Sequence, residues 1–141
     1  MAIRNRRARL VGLEMAAASL GAGIIHFAVV PSHFEEYWLF GAFFLGAGLF
    51  QVATSAIFLF TLNQSLVAMS VVLNGLISLI WLASRTTGLP VGPHPFSAED
   101  VGSTDATATV LEVLIVAGGI LLLTSARKGG ERIPRDQVIR S

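Results

Sequence analysis

The stretch that decides the fold is residues 37–60, YWLFGAFFLGAGLFQVATSAIFLF, which contains one glutamine and no charged residue. A helix needs about 20 mostly apolar residues to cross the hydrocarbon core of a bilayer, so this stretch is long enough to span it. Three further stretches meet the same criterion, at about 10–30, 66–84 and 107–126. The sequence therefore predicts an all-α fold, a four-helix transmembrane bundle with up-down topology.

The composition of the 141-residue chain agrees with a polytopic membrane protein. Hydrophobic residues make up 53% and charged residues 13%, about half of the charged fraction of an average globular protein. The chain has no cysteine, which excludes a disulfide scaffold or a thiol enzyme. A formal net charge of +1 predicts no attraction to nucleic acid. No nucleophile elbow occurs, and we expect no enzyme.

Proline, glycine and polar residues divide the chain around the four stretches. Pro31 is expected to end the first helix, because proline fits poorly inside one, and residues 31–36 then form a short loop. Residues 61–65 form a tight turn, and 85–106, rich in proline and glycine, form the long loop. The expected organisation is a basic N-terminus at 1–9, a transmembrane domain at 10–126 and a basic tail at 127–141.

The orientation follows from the positive charges, which accumulate on the cytoplasmic side of membrane proteins. Nine of the ten Lys and Arg residues lie in the two terminal segments, and only Arg85 lies at the long loop. We therefore expect a multi-pass protein of a bacterial plasma membrane with both termini cytoplasmic. A cleaved signal peptide is the alternative for the first stretch, but its apolar length exceeds the roughly 7–15 residues of such a segment, and Glu14 interrupts it.

Small and polar residues are expected to hold the helices together, since apolar helices gain nothing by leaving lipid for one another. Small residues recur along the first helix at Gly12, Ala16, Ser19 and Gly23. Asn74 belongs to a polar stripe on the third helix that also includes Ser70, Ser78, Trp81 and Arg85. We expect Asn74 and Gln51 to face the interior and to link helices. A role in binding a ligand is the alternative.

Ionisable side chains inside a membrane are costly, so each is a candidate functional residue. Glu14, near the cytoplasmic end of the first helix, is expected to reach the interface or to pair with Arg127 or Lys128. His26 lies near the outer end of the same helix, on the face of its small residues. Glu112 lies near the outer end of the fourth helix. Both His26 and Glu112 should therefore point into the bundle.

The outer cluster of histidines and carboxylates permits two interpretations, which the sequence leaves open. In the first, His26, His33 and Glu112, with Glu36 as a further ligand, bind a divalent transition metal. Imidazole nitrogen and carboxylate oxygen suit copper(II) or zinc. No HExxH or similar motif sharpens this assignment.

In the second interpretation, each group has a local structural role. Residues 32–35, SHFE, form a capping box for the second helix, with serine at the cap and glutamate three residues later. Asp105 lies beside the positive end of the fourth helix. Arg85 neutralises Glu112, and His26 bonds a neighbouring side chain.

The block 81–93, WLASRTTGLPVGP, is followed by Glu99-Asp100-Val101-Gly102 and later by Glu112, and it is preceded by His26, Pro31, His33, Glu36, Gly41, Phe44 and Gln51. Together these residues resemble a group of small, uncharacterised four-helix membrane proteins of actinobacteria. The resemblance covers the chain from His26 to Glu112 and implies the same fold, with no particular activity. By helix number alone, the chain is also similar to small DoxX-like membrane proteins.

Three functional hypotheses follow. The first is a membrane protein that binds a divalent transition metal or another small ligand at the outward-facing histidine–carboxylate cluster. The second is an accessory or structural subunit of a larger membrane complex, with no ligand of its own. The third is a small transporter in which Asn74, Gln51 and Glu14 line a path. A single four-helix bundle leaves little room for a path, so the third requires self-association.

Overall fold

The computed structural model describes residues 6–130, and in this range the chain forms four α-helices. They are α1 (Arg6–Glu36), α2 (Trp38–Phe60), α3 (Gln64–Thr86) and α4 (Ser103–Gly130). Each is long and apolar enough to cross a membrane, which confirms the predicted all-α class and the number of helices of membrane-spanning length. The predicted basic segments lie partly outside the described residues, as do the side chains of Arg127 and Lys128.

The expected end of α1 at Pro31 is wrong. The helix continues through this proline to Glu36, so residues 31–36 are helical. Ser32 Oγ donates to the Val29 carbonyl at 2.9 Å, and His33 Nδ1 lies 2.8 Å from the same oxygen. The side chains of Ser32 and His33 thus both bond the backbone within the last turns of α1.

The expected capping box at 32–35 is also wrong, because these residues belong to α1. A single extended residue, Tyr37, separates α1 from α2, and its side chain makes no capping hydrogen bond. The amide hydrogen of Tyr37 instead bonds the His33 carbonyl at 2.9 Å, which continues the pattern of α1. The chain therefore reverses between the first two helices without a loop.

The other helix ends lie within four residues of the expectation. Asn63 caps α3, because its side-chain oxygen accepts from the Ser65 amide at 2.8 Å and the Leu66 amide at 3.4 Å. The fourth helix begins at Ser103 and carries Asp105 in its first turn, as expected for a carboxylate beside the positive helix end. The long loop is therefore reduced to residues 87–102, which we call the roof loop.

Helix α1 packs along both α2 and α4, and α3 packs along α4. Gly12 lies against Leu62, and Gly41 lies against Phe34, so α1 and α2 run in opposite directions. A Cβ on Gly23 of α1 would lie 2.8 Å from Val52 Cγ2 of α2, so a larger residue would force the helices apart. Helices α2 and α3 approach each other at very few positions.

The interior is divided into two halves of different polarity. The half that holds the start of α1 is apolar, with the buried residues Ala8, Met15, Phe58, Leu62, Val67, Ile115 and Leu122. The other half buries polar side chains, namely Ser19, His26, Gln51, Asn74 and Glu112. The candidate site belongs to this polar half.

Candidate ligand-binding site

A histidine–glutamate pair lies inside the bundle where α1 meets α4. His26 Nε2 is 3.3 Å from Glu112 Oε1, and the two side chains are 4% and 1% exposed. Small residues make room for the pair, because Gly23 precedes His26 by one turn and the buried Ala108 precedes Glu112 by one turn. Both side chains point into the bundle, as the sequence predicts.

The carboxylate of Glu112 takes hydrogen bonds from two further helices. Gln51 Nε2 donates to Glu112 Oε1 at 3.2 Å, and Ser78 Oγ donates to Glu112 Oε2 at 3.2 Å. A carboxylate removed from water needs such partners, because an unpaired polar group in an apolar interior costs several kcal/mol. All four helices therefore converge on this one side chain.

Gln51 and Asn74 extend the polar cluster between α2 and α3. Gln51 Nε2 also donates to Asn74 Oδ1 at 3.0 Å, and Asn74 Nδ2 donates to the Ser70 carbonyl at 2.9 Å. Both amide side chains are fully buried. The two amides face the interior and link helices, and Gln51 also connects this link to the histidine–glutamate pair.

A cavity of about 430 Å³ extends from the pair towards the roof loop. Its two broad walls are apolar. Residues Phe40, Phe43 and Phe44 of α2 form one wall, and Ile77, Ile80 and Trp81 of α3 form the other. His26 and Glu112 line its inner end, because Glu112 is the deepest lining position of α4 and His26 lies within one residue of the deepest lining position of α1. The cavity is thus an apolar space with polar groups concentrated at one end.

The outer end of the cavity is covered by the roof loop, whose Leu89 and Val91 line the space. Gly92 of the same loop packs against Phe40, where a Cβ would lie 2.6 Å from the ring Cζ. Gly92 also has a φ of +106°, a conformation that residues with a side chain rarely adopt. A glycine is therefore required where the loop closes over the α2 wall.

Arg85 holds the roof loop in place. Its Nε and Nη2 donate to Asp105 Oδ2 at 3.1 and 2.8 Å, and its Nη1 pairs with Glu99 of the loop. Trp81 Nε1 also donates to Asp105 Oδ2, at 2.7 Å. The expectation that Arg85 neutralises Glu112 is therefore wrong. Glu112 lies two turns deeper on α4 than Asp105, so the guanidinium meets the two nearer carboxylates.

The other predicted metal ligands are distributed around the site. His33 lines the cavity with its ring centroid 4.2 Å from that of Phe44, and its Nδ1 bonds the Val29 carbonyl. Because a carbonyl only accepts, Nδ1 carries the hydrogen, and the Nε2 of the neutral ring is an acceptor. Glu36 is exposed and lines a smaller recess beside the roof loop. Between residues 6 and 130, no group of three or more His, Asp or Glu side chains could hold a metal ion.

The surroundings of Glu14 and of the second ring nitrogen of His26 complete the description of the site. Glu14 is exposed on the outer surface of α1 and takes no part in the cavity. The buried Nδ1 of His26 has no hydrogen-bond partner of normal geometry within the part of the chain that the structure describes. Buried polar atoms without a partner are rare in proteins. His26 lines the cavity, so its ring lies beside any molecule that binds there.

Sequence reasoning missed the aromatic wall and the partners of Arg85. The three phenylalanines lie within an apolar run in which every position resembles a lipid-facing one, so the sequence holds no signal for the wall. Ser78 could have been recognised, because it lies on the same polar stripe as Asn74. The role of Asp105 depends on where α4 begins, which the apolar pattern alone does not define.

The fold and the site together define a four-helix protein with helices of membrane-spanning length and an internal cavity that ends at a buried histidine–glutamate pair. No protein-family model matches the chain, and no curated protein or solved structure shows significant similarity to it. The resemblance of the chain from His26 to Glu112 to small actinobacterial membrane proteins, and the similarity to DoxX-like proteins, therefore stay predictions.

Proposed function

We propose that the chain is a multi-pass protein of the bacterial plasma membrane that binds a small, mostly apolar ligand through one polar end of that ligand. The observation that supports the proposal is the cavity of about 430 Å³ whose apolar walls end at His26 and Glu112. Ligand sites in proteins are commonly apolar cavities of about 300–1,000 Å³ with a small number of polar groups that orient the ligand.

The proposed topology is an up-down bundle with both termini in the cytoplasm. It is supported by the distribution of charge, since nine of the ten Lys and Arg residues lie in the terminal segments. The roof loop and the cavity then lie on the extracytoplasmic side. The apolar half of the bundle, with Met15 and Ile115 at its centre, lies towards the cytoplasm.

The chemistry of the cavity favours a planar ring that carries a carbonyl or hydroxyl oxygen. Aromatic walls pack well against a flat ring. The imidazoles of His26 and His33 line the cavity, and the Nε2 of His33 can accept a hydrogen bond from a hydroxyl substituent. A ligand with a fixed charge is disfavoured, because it would lose its hydration to apolar walls. A copper or zinc ion is the competing ligand, with one imidazole and one carboxylate in contact at His26 and Glu112.

The test uses 2-methyl-1,4-naphthoquinone, a flat apolar ring with two carbonyl oxygens, as the probe. Trp81 lines the cavity and the chain's other tryptophan, Trp38, is exposed, so a Trp38→Phe background reports binding through quenching of Trp81. The chain has no cysteine, so the quinone has no thiol to modify. The matched competitor is 2-methylnaphthalene, which has the same ring and no oxygen.

We expect saturable quenching of Trp81 in the purified protein. The variants His26→Gln and Glu112→Gln should each weaken binding by about 10- to 100-fold, the effect of about 1.5–3 kcal/mol for a hydrogen bond that involves a charged group. Glu14→Gln makes the same chemical change at an exposed site and should bind as the wild type does. The competitor 2-methylnaphthalene should bind at least 10-fold more weakly than the quinone.

Three results would overturn the proposal: quenching that does not saturate, equal binding of the two ring compounds, or equal losses in Glu112→Gln and Glu14→Gln. A single zinc or copper ion that is retained by the wild type and lost in His26→Gln would replace it with the metal interpretation. Both measurements use the same purified protein, so the two kinds of ligand are compared directly.

A further inference from the structure

The cavity has an opening on its side. Leu39 of α2 and Ile80 of α3 both line it, and they are 38% and 39% exposed. Over their whole length, α2 and α3 contact each other at very few positions, so they do not close against each other. We call the opening between Leu39 and Ile80 the lateral gap. In a membrane the lateral gap faces the acyl chains of the lipids.

The end of the cavity that faces water is covered. The roof loop lies over it with Leu89 and Val91, and the loop is tied to α3 at its far end. There, Arg85 pairs with Glu99, and the Glu99 amide donates to the Ser84 carbonyl at 3.0 Å. Within the loop, the Phe96 amide donates to the Leu89 carbonyl at 2.8 Å. Hydrogen bonds thus connect the roof loop both internally and to α3.

The inner end of the cavity is closed too. The hydrogen bond from Gln51 to Asn74 joins α2 and α3 just beyond the histidine–glutamate pair. Beyond it lie Met15, Val67 and Ile115, which are at most 1% exposed. One copy of the bundle therefore provides no continuous polar path between its two ends among residues 6–130, and the lateral gap is the remaining route into the cavity.

We propose that the ligand enters from the bilayer through the lateral gap, with its ring and oxygen in the cavity and an apolar tail left among the lipids. This inference rests on the proposed function, because it assumes that the cavity binds a ligand. It identifies the ligand class as a membrane-dissolved ring compound with a hydrocarbon tail. Water-soluble metabolites are excluded by the same geometry.

The test compares a probe that stays in the bilayer with the short probe used above. Phylloquinone carries the same methylnaphthoquinone ring on a phytyl tail, which retains it in the membrane. The Trp38→Phe protein is placed in phosphatidylcholine nanodiscs that contain increasing mole fractions of phylloquinone, and Trp81 fluorescence is recorded. His26→Gln in the same nanodiscs measures the quenching that arises from random collisions within the lipid.

We expect saturable quenching by phylloquinone beyond the collisional background. Filling the lateral gap in a Leu39→Phe/Ile80→Phe variant should weaken this binding at least 10-fold. Leu79→Phe adds the same ring next to Ile80, at an exposed position that does not line the cavity, and should change nothing. The wild-type circular dichroism spectrum, retained in each variant, shows that the bundle still forms.

The two proposals fail in different ways. If neither quinone binds, the proposed function is wrong. If the short quinone binds saturably and phylloquinone does not, the cavity binds a ligand that arrives through the roof loop, and entry from the bilayer is refuted. Binding of phylloquinone that is insensitive to the Leu39→Phe/Ile80→Phe change also refutes the lateral gap as the entrance.

Discussion

Replacing Gln51 by methionine is the most direct test of the polar cluster. Methionine keeps the length and approximate volume of glutamine, but it cannot donate the hydrogen bonds to Asn74 Oδ1 at 3.0 Å and to Glu112 Oε1 at 3.2 Å. Hydrogen bonds between transmembrane helices contribute about 0.6–1.7 kcal/mol each. The loss of both predicts a decrease of about 1–3 kcal/mol in the free energy of unfolding. At about 2 kcal/mol, the ratio of folded to unfolded protein falls about 30-fold.

The assay is reversible unfolding in mixed micelles by increasing dodecyl sulfate, followed by circular dichroism. The matched control is Gln64→Met, because Gln64 lies in the first turn of α3 and its side chain makes no hydrogen bond within the described range. A double-mutant cycle with Asn74→Leu should give a coupling energy of about 0.5–2 kcal/mol. If Gln51→Met and Gln64→Met differ by less than about 0.3 kcal/mol, the cluster does not stabilise the bundle and the reasoning is refuted.

Three further substitutions test the packing, the buried pair and the roof loop. Gly23→Ala should lower the free energy of unfolding by about 1–3 kcal/mol, because the new Cβ would lie 2.8 Å from Val52 Cγ2. The control is Gly46→Ala, which should not destabilise the protein because no atom lies within 4 Å of its Cβ. Equal effects of the two substitutions would contradict the close approach of α1 and α2 at Gly23. His26→Leu leaves Glu112 without its imidazole partner and should lower the free energy of unfolding by about 3 kcal/mol. Adding Glu112→Leu should restore at least half of that loss. If stability does not recover in the double variant, the two side chains are not coupled. Arg85→Met should speed proteolytic cleavage in the roof loop at least 10-fold in detergent, and an unchanged rate would show that the arginine does not hold the loop.

The helix ends show where local sequence rules fail in an apolar chain. Proline usually ends a helix, but Pro31 lies inside α1, which continues for five residues beyond it. The SHFE pattern at 32–35 has the composition of a capping box and is nevertheless helical. Such start and stop signals compete with a second requirement, because backbone groups in an apolar environment need hydrogen-bond partners. Here the longer helix gives more backbone groups a partner.

The candidate site could be predicted in part. The periodicity of small residues places His26 on the inner face of α1, and the polar stripe places Asn74 on the inner face of α3, so each could be assigned to the interior from its own helix. The partner of each side chain could not be assigned. Asp105 and Glu112 are both carboxylates on α4, and the sequence does not show which of them Arg85 reaches.

By itself, the sequence determined the number of helices, their apolar length and the faces that carry their polar residues, because these are properties of one helix at a time. Only the tertiary structure decided that Glu112 meets His26, Gln51 and Ser78, and that Arg85 meets Asp105 and Glu99. It also decided that α2 and α3 stay apart and leave a cavity between them. These outcomes depend on how far each helix is shifted and rotated relative to its neighbours. Those shifts and rotations follow from the packing of all four helices together, and no single segment encodes them.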